Sequence, residues 1–88
     1  MRMVIQYQGR VQGVGFRATT RDLARGLPLT GFVRNEPDGS VRLEVQGDEA
    51  AIGLLRSRVR EVMGRHIRSE SPTTAAEIPG EHGFVIAR

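Results

Sequence analysis

Apolar and polar residues alternate in two stretches of this chain, at residues 2–8 and 40–46. Successive side chains of a strand point to opposite faces of a sheet, so the alternation predicts two strands that each bury one face. The apolar residues on these faces are Met3, Ile5 and Tyr7 in the first strand and Val41, Leu43 and Val45 in the second. Residues 29–35 also have an extended pattern. The turn residues Pro37-Asp38-Gly39 join them to the second stretch, which predicts a hairpin over Leu29–Gln46.

Two other stretches repeat their apolar residues every three or four positions, which is typical of helices with one buried face. The repeating residues are Phe16, Thr20, Leu23, Ala24 and Leu27 in the first helix and Ile52, Leu55, Val59 and Val62 in the second. We expect Gly26 to end the first helix as a left-handed cap and Asp48 to cap the start of the second. Arg56, Arg58, Arg60 and Glu61 fall largely on the solvent side of the second helix.

The pattern weakens after Gly64. Residues 66–71 are compatible with a strand, residues 71–83 predict a loop, and Phe84 and Ile86 indicate a closing strand. The predicted order is therefore βαββαβ, with a division of the last strand region left open. Two helices on one face of an antiparallel sheet bury every apolar face at once. We predict one α+β domain over residues 1–88, a ferredoxin-like βαββαβ sandwich.

The composition excludes several kinds of site. The chain has no cysteine, so disulfides, thiolate zinc sites and cysteine nucleophiles are absent, and all 13 basic residues are arginine, so no lysine can act as a nucleophile or base. His66 and His82 are too few to predict a metal site. No apolar run is long enough to span a membrane and no signal segment is evident, so we expect a cytoplasmic protein. A net charge of +3 suits a small anion without requiring nucleic acid.

The segment Gly9-Arg-Val-Gln-Gly-Val-Gly-Phe-Arg17 lies between the first strand and the first helix. Glycine lets the backbone approach a ligand, and the N–H groups at a helix N-terminus point outward beside the positive end of the helix dipole. Arg17 adds a cation where the dipole disfavours one, which favours the binding of an anion such as phosphate. Without a ligand, Gly13 and Gly15 fit a tight turn equally well, and Arg17 fits a surface ion pair.

Residues 13–18 also match the G-x-G-x-x-G/A pattern of dinucleotide-binding domains. That pattern requires a second parallel strand after the helix, whereas residues 29–46 form a hairpin here. A chain of 88 residues is also too short for the two halves that hold a dinucleotide. We therefore reject a dinucleotide site.

Asn35 ends the segment Gly31-Phe-Val-Arg-Asn35, directly before the turn. Asparagine is depleted in strands, so Asn35 either caps the turn or belongs to a site. Its amide can accept a proton from a water while donating to another acceptor, which suits the orientation of a nucleophilic water. The residues alone favour the turn-capping role.

Gly9–Arg17 and Gly31–Asn35, continuing through Asp38–Val41 to Gly47, resemble the two signature segments of the acylphosphatase family. The resemblance implies the ferredoxin-like fold and hydrolysis of the carboxyl–phosphate anhydride of small acyl phosphates, with no metal or other cofactor. It implies that Arg17 binds the phosphoryl group and that Asn35 positions the attacking water. The resemblance also implies that the phosphate is bound by backbone amides, namely those of Gln12, Gly13, Val14, Gly15 and Phe16.

The main alternative is a non-catalytic RNA- or phosphate-binding module, because RNA-recognition domains share the βαββαβ order. Those domains stack bases on aromatic residues of their central strands, and residues 40–46 contain none. A carbamoyl-phosphate-handling domain, as in hydrogenase maturation proteins, is less favoured because those domains are fused to cysteine-rich segments. We expect an acyl phosphate as substrate, inorganic phosphate or a similar anion in the loop, no nucleic-acid or membrane partner, and a monomer.

Overall fold

The computed structural model describes residues 1–88 and contains a five-stranded sheet with two helices. The elements in chain order are β1 (Arg2–Gly9), α1 (Phe16–Ala24), β2 (Leu29–Asn35), β3 (Val41–Gly47), α2 (Glu49–Met63), β4 (Ile67–Ala75) and β5 (Phe84–Ala87). The strands lie in the order β4-β1-β3-β2-β5. All neighbours are antiparallel except β2 and β5, which run parallel. The ferredoxin-like α+β prediction is confirmed, with β5 as a parallel addition to the antiparallel sheet.

One core joins both helices to the same face of the sheet. Its buried apolar residues are Ile5, Tyr7, Val11, Phe16, Ala24, Leu29, Val33, Val41, Leu43, Val45, Ala51, Ile52, Leu55, Val59 and Met63. They include the predicted alternating residues of β1 and β3, apart from the half-buried Met3, and most of the predicted helical positions. Fully burying an aliphatic or aromatic side chain contributes roughly 1.5–3 kcal/mol, so this layer is the main source of stability.

The end of α1 differs from the periodicity of the sequence. Leu27 continues the helical spacing of apolar residues, but α1 ends at Ala24, just before the predicted cap at Gly26. Arg25 is extended, Gly26 has φ +81°, and the Leu27 N–H donates to the Ala24 carbonyl at 3.1 Å. These values describe a type II turn, which needs a positive φ at its third residue. Gly26 therefore ends the helix in the left-handed conformation as predicted, while Leu27 packs against the core from outside the helix.

The apolar stripe of α2 ends on a different residue from the one expected. Val62 is 52% exposed, whereas Met63 is 5% exposed and belongs to the core. At 3.6 residues per turn, both positions lie near the stripe, and in the last turn Met63 takes the buried one. Asp48 occupies the predicted N-cap position, but its side chain makes no capping hydrogen bond.

The prediction of a loop over residues 71–83 is wrong for its first part. β4 continues to Ala75 and pairs with β1 along its length, with Ala75 opposite Arg2 and Pro72 opposite Ile5. β4 lies at the edge of the sheet and its side chains are mostly exposed, so the burial that produces an apolar alternation is missing. An edge strand also tolerates proline, because its outer side needs no N–H donor.

A cluster of hydrogen-bonded charged and polar residues lies on the helix-free face of the sheet, at the end where β1 begins. We call Arg2, Thr30, Glu44, Gln46 and Glu81 the Arg2 cluster. The Arg2 side chain is fully buried and donates to Glu44 at 2.9 Å, to Gln46 at 3.1 Å and to both Glu81 oxygens at 2.8 and 3.2 Å. Thr30 also donates to Glu81, at 2.7 Å. The hydrogen bonds from Arg2 and Thr30 hold the pKa of Glu81 below its ordinary value, although burial opposes the shift.

Candidate active site

The loop between β1 and α1 lies at the opposite end of the sheet, beside the end of β2. The Arg10 N–H donates to the His66 carbonyl at 2.9 Å, and the Val11 side chain is buried, so the start of the loop is fixed. Gly13 and Gly15 have φ values of +78° and +79°, in the left-handed region, and nothing lies within 4 Å of a Cβ added at either residue. Glycine is therefore favoured here by the backbone conformation and not by crowding.

The backbone amides of this loop point away from the chain's own acceptors. No N–H from Val11 to Ala18 donates to a backbone or side-chain acceptor of the protein, and the first amide to do so is that of Thr19, which donates to the Gly15 carbonyl at 2.9 Å. A helix always leaves its first few N–H groups unpaired. Here the loop extends that unpaired run toward β1. Successive amides in such turns form concave sites for anions.

Arg17, in the first turn of α1, makes no ion pair and no hydrogen bond with its side chain, although nearby arginines do. Arg21 and Arg25, for example, both lie near the Asp22 carboxylate, at 3.6 and 3.5 Å. The interpretation of Arg17 as a partner in a surface ion pair is therefore not supported by the structure. Its guanidinium is available to an external anion.

Asn35 ends β2 on the face that carries the helices, opposite Val41. Its Oδ1 is buried and has no hydrogen-bond partner. The turn that follows is closed by Asp38 instead, whose carboxylate accepts hydrogen bonds from the Ser40 N–H at 2.9 Å and the Ser40 hydroxyl at 2.6 Å. These bonds also lower the pKa of Asp38. The turn-capping role that the residues alone favoured for Asn35 is therefore wrong.

One cavity of about 270 Å³ brings these groups together. Its lining residues are Val11, Gly13, Gly15, Phe16, Arg17, Ala18, Asn35, Ile86 and Arg88. Among the predicted site residues, Gln12 and Val14 do not line it: the Gln12 side chain turns toward the β2–β3 turn, and Val14 is exposed. Sequence reasoning missed Ile86 and Arg88. The alternation at Phe84 and Ile86 indicated a strand, but nothing in it indicated parallel pairing with β2.

The lining includes two arginine side chains and no carboxylate or imidazole side chain. An anion in the cavity would thus meet Arg17, Arg88 and unpaired amides without a competing negative side chain. Across the chain, no three His, Cys, Asp or Glu side chains are grouped so that they could hold a metal ion. Neither helix is long and apolar enough to cross a membrane.

The family model described as Acylphosphatase matches residues 3–86, which include both signature segments. The chain belongs to the acylphosphatase family. The family resemblance read from residues 9–17 and 31–47 is therefore confirmed.

Individual relatives support the same assignment. The chain is 55% identical over 60 residues to an acylphosphatase of Salinibacter ruber, an alignment that covers 68% of this chain and 63% of that protein. It is 37% identical over 87 residues to Acylphosphatase 2 of Ralstonia nicotianae, covering 98% and 92%. The first four relatives are matched over 53–63% of their own length.

Comparison of structures gives the same family. The fold superimposes on the crystal structure of acylphosphatase from Bacillus subtilis with a TM-score of 0.89 and 32% identity, covering 99% of this chain and 98% of that one. An acylphosphatase with the same whole-chain architecture is thus among the solved structures similar to this protein.

Proposed function

We propose that this protein hydrolyses the carboxyl–phosphate anhydride of small acyl phosphates to a carboxylate and inorganic phosphate. The observation that carries the proposal is the grouping of unpartnered polar atoms at one cavity: the Arg17 guanidinium, the Asn35 Oδ1 and the loop amides. Buried polar groups without partners are rare in folded proteins because leaving them unpaired costs free energy, and the Asn35 Oδ1 is such a group. A phosphorylated substrate with its attacking water would satisfy all three at once.

In this proposal the phosphoryl group lies in the loop. Arg17 offers two parallel N–H donors to two phosphoryl oxygens, a geometry that a lysine does not provide. The same group lies against the amides of the loop at residues 12–16, of which Gly13, Gly15 and Phe16 line the cavity, next to the positive end of the α1 dipole. Because these donors are fixed before the substrate arrives, they stabilise the charge on the phosphoryl oxygens in the transition state without further reorganisation.

Asn35 would hold the attacking water through its unpartnered Oδ1. The water oxygen bonds to phosphorus while the bond from phosphorus to the acyl oxygen breaks, and the carboxylate leaves with the electron pair. A carboxylate is a good leaving group, so no general acid is needed. No carboxylate or imidazole side chain lines the cavity, so the proton of the water passes to a phosphoryl oxygen of the substrate itself.

Hydrolysis of benzoyl phosphate in H₂¹⁸O, with a chelator present, tests both the activity and the site of attack. We expect turnover well above the uncatalysed rate, with the label in inorganic phosphate and none in benzoate. Label in benzoate would place the attack at the carbonyl carbon and overturn the role of Asn35. Absence of turnover would overturn the enzyme assignment as a whole.

The RNA-binding alternative is weakened by the helix-free face of the sheet. Phe32 is the aromatic residue on that face, and the Arg34 guanidinium covers its ring at 5.3 Å while pairing with Glu36 at 2.9 Å. The ring is therefore not a free platform for a base. We expect no nucleic-acid partner, and binding of single-stranded RNA with a steep salt dependence would contradict this. The monomeric state and the cytoplasmic location stay predictions.

A further inference from the structure

The side chain of Gln12 connects the phosphate loop to the turn between β2 and β3. Its Nε2 donates to the Glu36 carbonyl at 2.8 Å and to the Ser40 carbonyl at 2.9 Å. Both hydrogens of one amide group are thus used on two carbonyls at the base of the same turn. Gln12 does not line the cavity, so this contact lies beside the site and not within it.

These two bonds are not needed to close the turn. The Glu36 carbonyl already accepts the Gly39 N–H at 3.1 Å, and the Ser40 carbonyl already accepts the Glu36 N–H at 2.9 Å. Asp38 fixes Ser40 from the other side. The turn would therefore keep its own hydrogen bonds without Gln12. What Gln12 adds is a link between two separate segments of the chain.

The link is located next to Asn35. Glu36 follows Asn35 directly, and Ser40 precedes Val41, the residue opposite Asn35 in the β2–β3 ladder. On the loop side, Gln12 is followed by Gly13–Gly15, whose N–H groups donate no hydrogen bond to the rest of the protein. The two amide bonds are therefore the direct side-chain connection between the loop and the strand end that carries Asn35.

We infer that Gln12 is a positioning residue that fixes the distance between the phosphoryl-binding loop and the water-binding amide of Asn35. This inference rests on the proposed function, because it assigns the two sides of the cavity to phosphoryl group and water. In-line attack requires both reactants at a set separation, and a misplacement of about 1 Å can cost on the order of 10²-fold in rate. Each side would still bind its own ligand if the link were removed. Only their relative placement would be lost.

The test compares Gln12→Met with the matched control Gln6→Met. Methionine keeps the length of the side chain but donates no hydrogen bond. Gln6 donates its Nε2 to the Ser40 Oγ at 2.9 Å, so the control removes an amide bond to the same turn from β1, where it does not reach the loop. We expect Gln12→Met to lower kcat by about 10- to 100-fold, with the affinity for inorganic phosphate changed by less than about threefold. The control should stay within about twofold of the wild type in both quantities.

A kcat for Gln12→Met that matches the control would overturn the inference. So would a parallel loss of kcat and phosphate affinity, since that would mean that Gln12 acts on the phosphate site alone. Gln12→Glu adds a test of the donor role. Its ionised carboxylate would face two carbonyl oxygens, whereas the protonated form can donate to one of them. We expect its activity relative to the wild type to rise as the pH falls through the pKa of the new carboxyl group.

The expected rise in relative activity has to be distinguished from an effect of the neighbouring acids, Glu36 and Asp38. The Glu36 carboxylate is held by Arg34, and the Asp38 carboxylate is held by Ser40. Both are also present in the wild type and in Gln12→Met, so the ratio to the wild type isolates the new group. A ratio that stays flat with pH would contradict the donor role.

A measurement independent of turnover separates this inference from the proposed function. In ¹⁵N relaxation, the amides of Gly13 and Gly15 should become more mobile in Gln12→Met and not in Gln6→Met. Unchanged order parameters would overturn the link even if the enzyme is active. An inactive wild type with a more mobile loop in Gln12→Met would overturn the proposed function and leave the link established.

Discussion

Two polar regions lie at opposite ends of the sheet, and they differ in whether their groups have partners. In the Arg2 cluster, the buried guanidinium donates to three side chains, two of them carboxylates. In the cavity at the other end, Arg17 and Asn35 donate to nothing in the protein, and the Asn35 Oδ1 is buried without a partner. Burial and charge alone therefore do not distinguish the two regions. The groups at the cavity can still bind a ligand, whereas a group whose bonds are already made has none left for one.

The balance of charge follows the same division. Two carboxylates, Glu44 and Glu81, neutralise Arg2, whereas the cavity combines Arg17 and Arg88 with no acidic residue. In the Arg2 cluster the charges are matched within the protein, so the cluster needs no ligand. In the cavity, two arginine side chains have no acidic side chain beside them, which favours the binding of an external anion.

The largest expected effect is a loss of activity when the unpartnered residues of the cavity are replaced. Arg17→Gln and Asn35→Ala should each lower kcat by about 10³-fold, because the proposed mechanism places each residue at the reacting phosphoryl centre. Neither residue has a partner within the protein, so the free energy of unfolding should change by less than about 0.5 kcal/mol. Steady-state kinetics and urea unfolding measure the two quantities. A variant that keeps its rate, or that unfolds far more easily, would break the distinction between the two regions.

The Arg2 cluster should respond in the opposite way. Arg2→Met leaves Glu81 without its cation and Glu44 with Arg42 alone, and breaking such a buried network costs about 3 kcal/mol of unfolding free energy. The kcat of the folded variant should stay close to that of the wild type. Adding Glu81→Gln to Arg2→Met should restore part of the loss, since it removes one uncompensated charge. Urea unfolding at neutral pH measures both steps, and a loss below about 1 kcal/mol would place the cluster among ordinary surface ion pairs.

Acid should weaken the Arg2 cluster. Arg2 lowers the pKa of Glu81 below the ordinary value of 4.5, so the stabilisation is present above that value and is lost as the pH falls through the lowered pKa. Glu81→Gln should therefore be less stable than the wild type at about pH 6, and the difference should shrink toward about pH 3. Urea unfolding at the two pH values checks this. A difference that does not vary with pH would show that the Glu81 charge contributes nothing.

The smallest effect concerns the loop glycines. Gly15→Ala should cost about 1 kcal/mol, because alanine disfavours the φ of +79° even though the space for its Cβ is free. The control is Gly53→Ala in α2, where nothing lies within 4 Å either and the backbone is helical, so it should gain about 0.5–1 kcal/mol. Thermal unfolding compares the two. Equal effects would mean that the left-handed loop conformation is not under strain.

The sequence predicted the parts of this molecule that local patterns control. Alternation located β1 and β3, helical spacing located both helices, and the two signature segments pointed to Arg17 and Asn35. The parts that it missed depend on distant pairing. Arg2 was unremarkable in the sequence because its partner Glu81 lies 79 positions away. The second half of β4 has no apolar alternation because only its pairing with β1 makes it a strand. Similarly, the Gln12 link depends on residues 24 and 28 positions away.

The position of β4 at the edge also affects how copies of this protein can meet. A free strand edge can pair with a strand of another molecule, and such pairing extends from chain to chain into aggregates. On β4, Pro72 interrupts the row of donors near the middle of the strand, and Arg68 and Glu70 place charges before it. The opposite edge, β5, is only four residues long. Both edge strands are therefore poor templates for intermolecular β-pairing. This protects the protein against aggregation at high concentration.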